Sequence, residues 1–424
     1  MTGFENKIIR TKAGIIYPNV GNSDLLPEDR LAETKGLAAA ISLDILYSEI
    51  IKLRTIKPGT FFGSGIIEKV ANICKESQLE LLIIDADLTP IQQRNLEKAL
   101  NIKIIDRTAL ILEIFGERAQ TREGCLQVEL AHLTYQRSRL VRSWTHLERQ
   151  RGGAGFLGGP GETQIELDRR IIDDKIVKIK KALEKIKQTR GLQRSARKKV
   201  PYPIVALVGY TNTGKSTLFN YLTQANVFAE NLLFATLDTT MRRLKLPSGR
   251  EVILSDTVGF ISDLPHELIM AFRATLEEVL EADIVVQVLD AANSENKSQR
   301  KDVLEVLHHL GLDKIEYQRN YVEVYNKIDL LSQETINQLQ NNKNLVLTSA
   351  INGSGCDALL NKIDNILGEE YKTITLNINA SDGKLLAWLH KNAEIIKSDL
   401  QEDKFCITAR LTDADYSRLQ KQLS

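Results

Sequence analysis

The order of apolar and polar positions along the chain divides it into four regions. Residues 1–105 alternate strand-like apolar runs, such as 81–85 and 102–105, with helical stretches such as 89–100. This alternation is typical of a parallel sheet flanked by helices. We therefore predict a small α/β domain at residues 1–105.

Residues 106–200 show the period of two long amphipathic helices. Their apolar residues recur at steps of three and four, which indicates a coiled-coil-like seam. A glycine-rich segment, residues 152–161, separates the two stretches, so we expect an antiparallel helical hairpin with this loop at one end. The predicted seam positions are Leu126, Leu130, Leu133, Leu140, Trp144 and Leu147 in the first helix and Ile172, Ile176, Ile179, Leu183 and Ile186 in the second.

The last two regions again mix strands and helices. Residues 201–368 contain strand-like runs that each precede a polar motif, and the first of them is apolar and β-branched, as a buried parallel strand is. These runs are 203–208, 251–255, 321–325 and 345–347. We predict an α/β domain here with a mixed, mostly parallel sheet. Residues 369–424 combine two strand-like runs with two helical ones, which predicts a small α+β domain. Those runs are 373–378 and 404–411 for the strands and 384–393 and 414–422 for the helices.

The first polar motif, Gly209-Tyr-Thr-Asn-Thr-Gly-Lys-Ser216, follows the predicted strand 203–208. A strand, a glycine loop and a helix N-terminus together surround an anion with backbone N–H groups. Lys215 can bridge β- and γ-phosphate oxygens and Ser216 can bind Mg²⁺, although the motif alone would also serve an ATPase. The predicted nucleotide contacts here are Gly209, Tyr210, Thr211, Asn212, Thr213, Gly214, Lys215, Ser216 and Thr217.

The second motif, Asp256-Thr-Val-Gly259, lies at the end of the predicted strand 251–255. An Asp at the carboxyl end of a parallel strand can hold Mg²⁺ directly or through a water. Gly259 offers a backbone N–H that can meet the γ-phosphate. We therefore predict that Asp256 contacts both the metal and the nucleotide. Gly259 and Lys215 are each predicted to contact the nucleotide and to have a catalytic role.

A switch segment is expected between these two motifs, at residues 234–243. We select Thr236 as the catalytic hydroxyl that closes over Mg²⁺ in the GTP state. Thr239 and Thr240 remain alternatives, because a Thr in a polar loop is often only a turn former.

The third motif, Asn326-Lys-Ile-Asp329, distinguishes guanine from adenine. The Asp329 carboxylate can accept hydrogen bonds from guanine N1–H and the 2-amino group. Adenine has neither donor there and would leave a buried charge unpaired. Asn326 would join this loop to the phosphate loop, the Lys327 stem would cover the base, and Ser349 and Ala350 would offer a backbone N–H to the guanine oxygen. Together the motifs predict a P-loop GTPase domain that binds GTP and GDP.

Hydrolysis is expected to be slow without help. Phe260 follows Gly259 where many small GTPases carry a water-orienting Gln, and an apolar ring cannot orient water. The protein resembles GTPases with a hydrophobic residue at this position, which need a partner or an ion. Asn212 matches the Asn that binds K⁺ in the cation-activated members, so we hypothesise K⁺-stimulated hydrolysis. The alternative is that Asn212 only satisfies the loop backbone.

Charge is distributed unevenly in a chain whose net charge is only +1. That near-neutral balance argues against a uniformly basic nucleic-acid surface. Residues 175–199, however, contain eleven Lys or Arg and one acid. A solvated helix face would explain them, but we favour binding to an RNA phosphate backbone. The candidate ribosomal RNA contacts are Arg142, Arg149, Arg151, Gly155, Gly158, Lys178, Lys181 and Lys185.

We expect a cytoplasmic protein, and we expect it to be a monomer. The four cysteines are scattered, which suggests neither a disulfide framework nor a zinc site. The sequence has no signal-peptide core and no apolar run near the length of about 18 residues that a membrane span requires. Peripheral association with a membrane remains open.

Five stretches of the chain carry a family resemblance: Thr121-Arg-Glu123, Gly158-Gly-Pro-Gly-Glu-Thr-Gln-Ile-Glu166, Asp168-Arg-Arg170, Phe234-Ala-Thr-Leu-Asp238 and Asp256-Thr-Val-Gly-Phe-Ile261. With the other motifs they resemble the HflX-type ribosome-associated GTPases along nearly the whole chain. The resemblance implies that the N-terminal domain and hairpin dock on the large ribosomal subunit near the peptidyl transferase centre. It further implies that the GTP state promotes dissociation of stalled ribosomes, and that the ribosome stimulates hydrolysis.

The chain departs from the family pattern at two places. Thr239 replaces the usual Pro of the switch segment, and Phe156 and Leu157 occupy the glycine tip where many members carry an Arg. Two other functions stay open, a GTP-dependent scaffold or signalling switch and a ribosome assembly factor. Steep loss of binding with salt would distinguish an RNA partner from a protein partner.

Overall fold

The structure is a computed structural model of the 424-residue chain, and it contains three β-sheets and a helical hairpin. It describes residues 10–21, 26–150, 164–197, 202–225, 234, 239–262, 279–312, 315, 318, 320–340, 345–369, 371–379, 381–401, 404–412, 416 and 418–420.

A four-stranded parallel sheet forms the first unit, in the order β2-β1-β3-β4. Its strands are β1 (Lys12–Asn19), β2 (Asp44–Lys52), β3 (Leu81–Ile84) and β4 (Lys103–Asp106). The connecting helices are α1 (Pro27–Ala40), α2 (Ser64–Glu76), α3 (Pro90–Leu100) and α4 (Arg107–Arg118). The α/β fold predicted for this region is confirmed, and β4 extends one residue past the predicted boundary at 105.

Local sequence explains where the helices of this unit begin. Thr89 and Gln92 form a reciprocal capping box at the start of α3, and Asp106 accepts a hydrogen bond from the backbone of Ala109 at the start of α4. Gly63 precedes α2, so the glycines at 63 and 65 lie at a helix start. Asp85 follows the end of β3 and Asp106 is the last residue of β4, which brings two carboxylates to the same edge of the sheet.

The two long helices α5 (Arg122–Gln150) and α6 (Gln164–Arg197) pack against each other. The ion pair between Arg137 Nη1 and Asp173 Oδ1, at 3.1 Å, joins them. Seven predicted seam positions share one hydrophobic cluster: Leu126, Leu130, Leu133, Ile172, Ile176, Ile179 and Leu183. The glycine-rich loop and the side chains of Trp144 and Leu147 lie outside the described residues.

A six-stranded sheet forms the third unit, in the order β10-β9-β8-β5-β7-β6. Only β6 among these strands runs antiparallel to its neighbour, so the predicted mixed, mostly parallel sheet is confirmed. The strands are β5 (Ile204–Val208), β6 (Thr240–Lys245), β7 (Glu251–Asp256), β8 (Ile284–Asp290), β9 (Tyr321–Asn326) and β10 (Val346–Leu347). The described helices are α7 (Lys215–Thr223), α8 (Asn296–Leu310), α9 (Gln333–Gln340) and α10 (Cys356–Glu369).

A three-stranded antiparallel sheet ends the chain, in the order β11-β13-β12. Its elements are β11 (Tyr371–Asn379), α11 (Gly383–Asn392), β12 (Glu394–Gln401) and β13 (Lys404–Thr412). The α+β fold predicted here is confirmed, but the sequence pattern missed β12. Its register shifts between Ile395 and Lys397, which interrupts the alternation of apolar and polar positions that identifies a strand.

One hydrophobic core spans both α/β units. Leu110 and Phe115 of α4 belong to the same buried cluster as Phe234 and Phe260, and the backbone of Phe260 bonds to the phosphate loop. The rings of Phe115 and Phe234 are 4.6 Å apart between centroids. The N-terminal unit is therefore packed directly against the segments that the sequence assigns to the nucleotide site.

Candidate nucleotide site

The phosphate loop connects the end of β5 to the start of α7. The helix begins at Lys215, so the loop ends at the helix N-terminus. Gly214 has φ of +90°, and a Cβ there would lie 2.3 Å from Nδ2 of Asn326. Only glycine fits both the conformation and the space. The backbone at the helix start is thereby left open to an anion.

Lys215 is buried at the base of this loop. Its Nζ donates to the carbonyl oxygens of Gly209 at 3.1 Å and Tyr210 at 2.8 Å. Burial lowers the pKa of Lys215 to about 8, and the nearby Asp256 carboxylate opposes that shift only in part. The ammonium group therefore lies where an incoming phosphate would stabilise its charge.

A hydroxyl and a carboxylate that suit Mg²⁺ lie next to Lys215. Ser216 Oγ donates to Asp256 Oδ2 at 2.7 Å, and Asp256 is fully buried at the end of β7. Hard oxygen ligands of this kind are the ones that Mg²⁺ prefers, so the two residues fit the ion. Thr236, the predicted third ligand, lies outside the described residues. Of its alternatives, Thr240 is the cross-strand neighbour of Asp256 in β6.

The loop that carries Gly259 lies against the phosphate loop. The backbone N–H of Phe260 donates to the oxygen of Gly209 at 3.0 Å, and the N–H of Thr211 donates to the oxygen of Phe260 at 2.7 Å. A Cβ on Gly259 would lie 2.9 Å from Cα of Thr211, so this close approach requires glycine. The Phe260 ring is buried in the shared core.

We call the two segments predicted to contact the base, residues 326–329 and 349–350, the base-side loops. Asn326 connects them to the phosphate loop. Its Nδ2 donates to the oxygen of Thr213 at 2.9 Å, and its Oδ1 accepts from the backbone of Ala350 at 3.0 Å. Ser349 Oγ donates to Asp329 Oδ1 at 2.5 Å. Asp329 itself is exposed, so its carboxylate remains accessible to a base.

Lys327 has an ion-pair partner that its sequence motif does not reveal. It has φ of +64°, and its Nζ lies 2.8 Å from Asp290 Oδ2 at the end of β8. This contact holds the aliphatic stem beside the base-side loop. Asn212 also has a positive φ, of +59°, and is exposed at the tip of the phosphate loop. Thr217 lies half-buried in the first turn of α7.

Family models match four consecutive stretches of the chain. The matched descriptions are GTP-binding GTPase N-terminal at residues 28–116, GTP-binding GTPase Middle Region at 118–197, 50S ribosome-binding GTPase at 204–327 and HflX C-terminal domain at 334–424. A GTPase HflX of Magnetococcus marinus is 47% identical over 394 residues, covering 93% of this chain and 90% of its own length. The chain belongs to the HflX family of GTPases. It is a GTP hydrolase, and the resemblance stated from its motifs is confirmed.

A second HflX relative also aligns with nearly the whole chain. The GTPase HflX of Escherichia coli K12 is 40% identical over 396 residues, which cover 92% of each chain. Among solved structures, a GTP-binding protein from Sulfolobus solfataricus in complex with GDP is 21% identical and has a TM-score of 0.44. The match covers 85% of this chain and 99% of that one.

Five described basic residues of the helical hairpin differ in their surroundings. Lys178, Lys181 and Lys185 are exposed on α6. Arg137 and Arg139 of α5 are instead engaged in ion pairs, with Asp173 and with Asp106 respectively. These two arginines therefore join the hairpin internally and to the N-terminal sheet, rather than adding to a free basic face.

The other predicted RNA contacts cannot be located in the same way. Arg142 and Arg149 belong to α5, but their side chains lie outside the described residues, as do Arg151, Gly155 and Gly158.

Across the part of the chain that the structure describes, no helix is both long enough and apolar enough to cross a membrane.

Three residues at the site carry no sequence motif that would have revealed them. Glu33, Arg107 and Ser262 form polar contacts around Tyr210, behind the phosphate loop. Glu33 and Arg107 come from the N-terminal unit, far away in sequence. Sequence patterns alone give no signal for such contacts, because they arise only when the two units pack together.

Proposed function

We propose that this HflX-family GTPase binds the large ribosomal subunit in its GTP state and promotes the dissociation and rescue of stalled ribosomes, with the ribosome stimulating hydrolysis. The observation that carries the proposal is the exposed lysine row of α6, formed by Lys178, Lys181 and Lys185, in a chain of this family. Lysines on one helix face can neutralise successive phosphates of RNA. The HflX relatives and the matched ribosome-binding model support a ribosomal partner.

In this proposal the nucleotide is held by three sets of residues. The phosphate loop and Lys215 bind the phosphates, while Asp329 accepts from the guanine edge and Ser349 fixes its carboxylate. Ala350 supplies a backbone N–H to the guanine oxygen. Asn326 keeps the base and phosphate loops at a constant distance, since it bonds to both.

Mg²⁺ would be held by Ser216 and Asp256, with Thr236 joining them in the GTP state. Bound Mg²⁺ would neutralise charge that develops on the phosphates. Gly259 would offer its backbone N–H to the γ-phosphate, and loss of that phosphate would release the loop. K⁺ at Asn212 would further stimulate hydrolysis, and equal rates in KCl and NaCl would remove that part of the proposal.

Differential affinity couples the nucleotide to docking. If the GTP-ordered switch segment fits the ribosome better than the GDP form does, GTP favours the docked state and hydrolysis favours release. Phe260 gives intrinsic hydrolysis no polar help, which keeps the GTP state long-lived until the ribosome accelerates turnover.

Sedimentation tests the ribosomal role. Ribosomes are centrifuged with the protein in GTP, GDP or a non-hydrolysable GTP analogue, and the GTP and analogue forms should pellet with the large subunit. Combined Lys178→Glu, Lys181→Glu and Lys185→Glu should weaken binding and reduce the slope of log affinity against log salt by about 2–3, because each lysine neutralises about one phosphate.

Matched charge reversals elsewhere provide the control. Lys297, Lys301 and Lys404 are equally exposed but lie outside the hairpin, so their change to Glu should leave binding intact. If no nucleotide form pellets with the large subunit, the ribosomal role is wrong and only the GTPase remains. Binding that ignores salt would favour a protein scaffold instead.

A further inference from the structure

Glu33 of α1 reaches the nucleotide site from the N-terminal unit. Its Oε1 accepts a hydrogen bond from the hydroxyl of Tyr210, the second residue of the phosphate loop. Its Oε2 accepts from Ser262 Oγ at 3.1 Å, three residues after Gly259. The backbone N–H of Ser262 in turn donates to the Tyr210 hydroxyl at 2.6 Å. The three residues close a ring of hydrogen bonds between two loops and a separate unit.

The ring is braced by buried charges. Arg107 donates from Nη2 to Glu33 Oε2 at 2.6 Å and to the backbone oxygen of Ser262 at 3.0 Å. Its Nη1 lies 2.9 Å from Asp85 Oδ1, and Arg30 Nε lies 3.0 Å from Asp85 Oδ2. Burial alone would raise the pKa of Asp85, but Arg107 and Arg30 outweigh it and hold that pKa below its usual value. Glu33 is thus held among fixed charges.

The loop of Gly259 is therefore attached to the phosphate loop at two points. Phe260 exchanges backbone hydrogen bonds with Gly209 and Thr211, and Ser262 is held through Tyr210 and Glu33. Phe260 provides no polar side chain that could orient water. Hydrolysis therefore depends more strongly on the backbone N–H of Gly259, whose position is set by the backbone of this loop. A displacement of about 1 Å at a reacting group can cost about 100-fold in rate.

We propose that Glu33 is a positioning residue for GTP hydrolysis: by holding Tyr210 and Ser262 together, it fixes the spacing between the phosphate loop and the backbone N–H of Gly259. This inference rests on the proposed role of Gly259. It gives the N-terminal unit an indirect part in hydrolysis at the nucleotide site.

Separate measurement of kcat and KM for GTP in the full-length protein tests the inference. Tyr210→Phe removes the hydroxyl from the ring and should lower kcat about tenfold, which corresponds to about 1.4 kcal/mol of barrier. KM should stay within about twofold, because the hydroxyl is engaged by Glu33 and by the backbone N–H of Ser262. Glu33→Gln should have a similar effect, and the double variant should be little worse than either single variant, since all three changes break one ring.

A matched Tyr→Phe change provides the control. Tyr47 also donates its hydroxyl to a glutamate, Glu49, but both lie on β2 of the N-terminal sheet. Tyr47→Phe should leave kcat and KM unchanged. GDP affinity and thermal unfolding confirm that each variant is folded. If Glu33→Gln fails to fold because Arg107 loses a partner, Tyr210→Phe and Ser262→Ala carry the test.

Several outcomes would overturn the inference. An unchanged or raised kcat in Tyr210→Phe, a rise in KM alone, or additive effects of the two single changes would each do so. Gly259→Ala separates the two levels of the argument. If Gly259→Ala hydrolyses GTP normally, the proposed role of Gly259 is wrong. If it loses hydrolysis while Tyr210→Phe does not, only the role of Glu33 is wrong.

Discussion

Lys215 illustrates how a single residue can link nucleotide binding to pH. Without nucleotide its ammonium group has only the carbonyl oxygens of Gly209 and Tyr210 as partners within the loop, and burial lowers its pKa to about 8. A phosphate would bring full negative charges beside it and favour the charged form. Binding should therefore take up a proton as the pH passes 8.

The affinity of the nucleotide-free protein for GDP should fall about fourfold between pH 7 and 8.5, because a growing fraction of Lys215 must gain a proton on binding. Calorimetry in buffers with different ionisation heats measures that uptake directly. Lys215→Arg keeps its charge and should give a flat profile over the same range. A wild-type profile as flat as that of Lys215→Arg would contradict the prediction.

The same shift predicts how the nucleotide-free fold responds to alkali. Between about pH 8 and 10.5 the unfolded chain still binds the proton that folded Lys215 has lost. The unfolded state therefore binds more protons in this window, so the contribution of Lys215 to stability rises with pH there. Below pH 8 both states are protonated, and the penalty for the buried charge is fully present.

Asp329 should determine the choice of base. Asp329→Asn replaces a charged acceptor by an amide and should weaken GTP binding by about 100-fold, since hydrogen bonds to charged groups contribute about 1.5–3 kcal/mol each. ATP affinity should hardly change. Asp364→Asn is the matched control, because that carboxylate accepts from the backbone N–H and the hydroxyl of Ser248. Titration of both nucleotides into both variants measures the preference, and a GTP preference that survives Asp329→Asn would rule out the base-reading role.

At the scale of elements, regular apolar periods made the fold predictable. The seam residues Leu133, Ile176 and Ile179 repeat at helical spacing and do form the buried contact between α5 and α6. The strands β5 and β9 were equally evident, because each is a short β-branched run that ends at a polar motif. β12 was missed because its register shift breaks the alternation on which strand prediction depends.

Site residues could be predicted from the sequence only where they belong to a short motif. The order of motifs indicated that Asn326 would join the base loop to the phosphate loop, because both follow strands of one sheet. Glu33, by contrast, lies in the charged stretch of α1 and reads as an ordinary solvated acid. Its contacts with Tyr210 and Ser262 span more than 170 residues, and sequence spacing contains no information about them.

At the scale of the whole molecule, the nucleotide site and the N-terminal unit share one core. Phe234 opens the predicted switch segment with φ of +57°, and its ring packs on Phe115 of α4. Phe260 is buried in the same cluster. Because interiors are closely packed, a movement of either segment must be accommodated by the N-terminal unit. The two units should therefore respond to nucleotide together.

Hydrogen exchange with and without GDP tests this coupling. At a GDP concentration 100 times the Kd, binding stabilises the folded state by about 2.7 kcal/mol. If one core makes both units cooperative, the amides of β1, β3 and β4 should gain protection together with those of β5 and β7. Phe115→Ala removes the ring that packs on Phe234. Protection by GDP should then be confined to the six-stranded sheet, here called the nucleotide-binding sheet.

Phe62→Ala is the control for the loss of a buried ring that does not contact Phe234. Phe62 is as deeply buried as Phe115 but belongs to a cluster inside the N-terminal unit. Both changes should cost about 3–5 kcal/mol locally, yet only Phe115→Ala should separate the N-terminal strands from the effect of GDP. If GDP protects only the nucleotide-binding sheet in the unaltered protein, the shared core does not couple the two units.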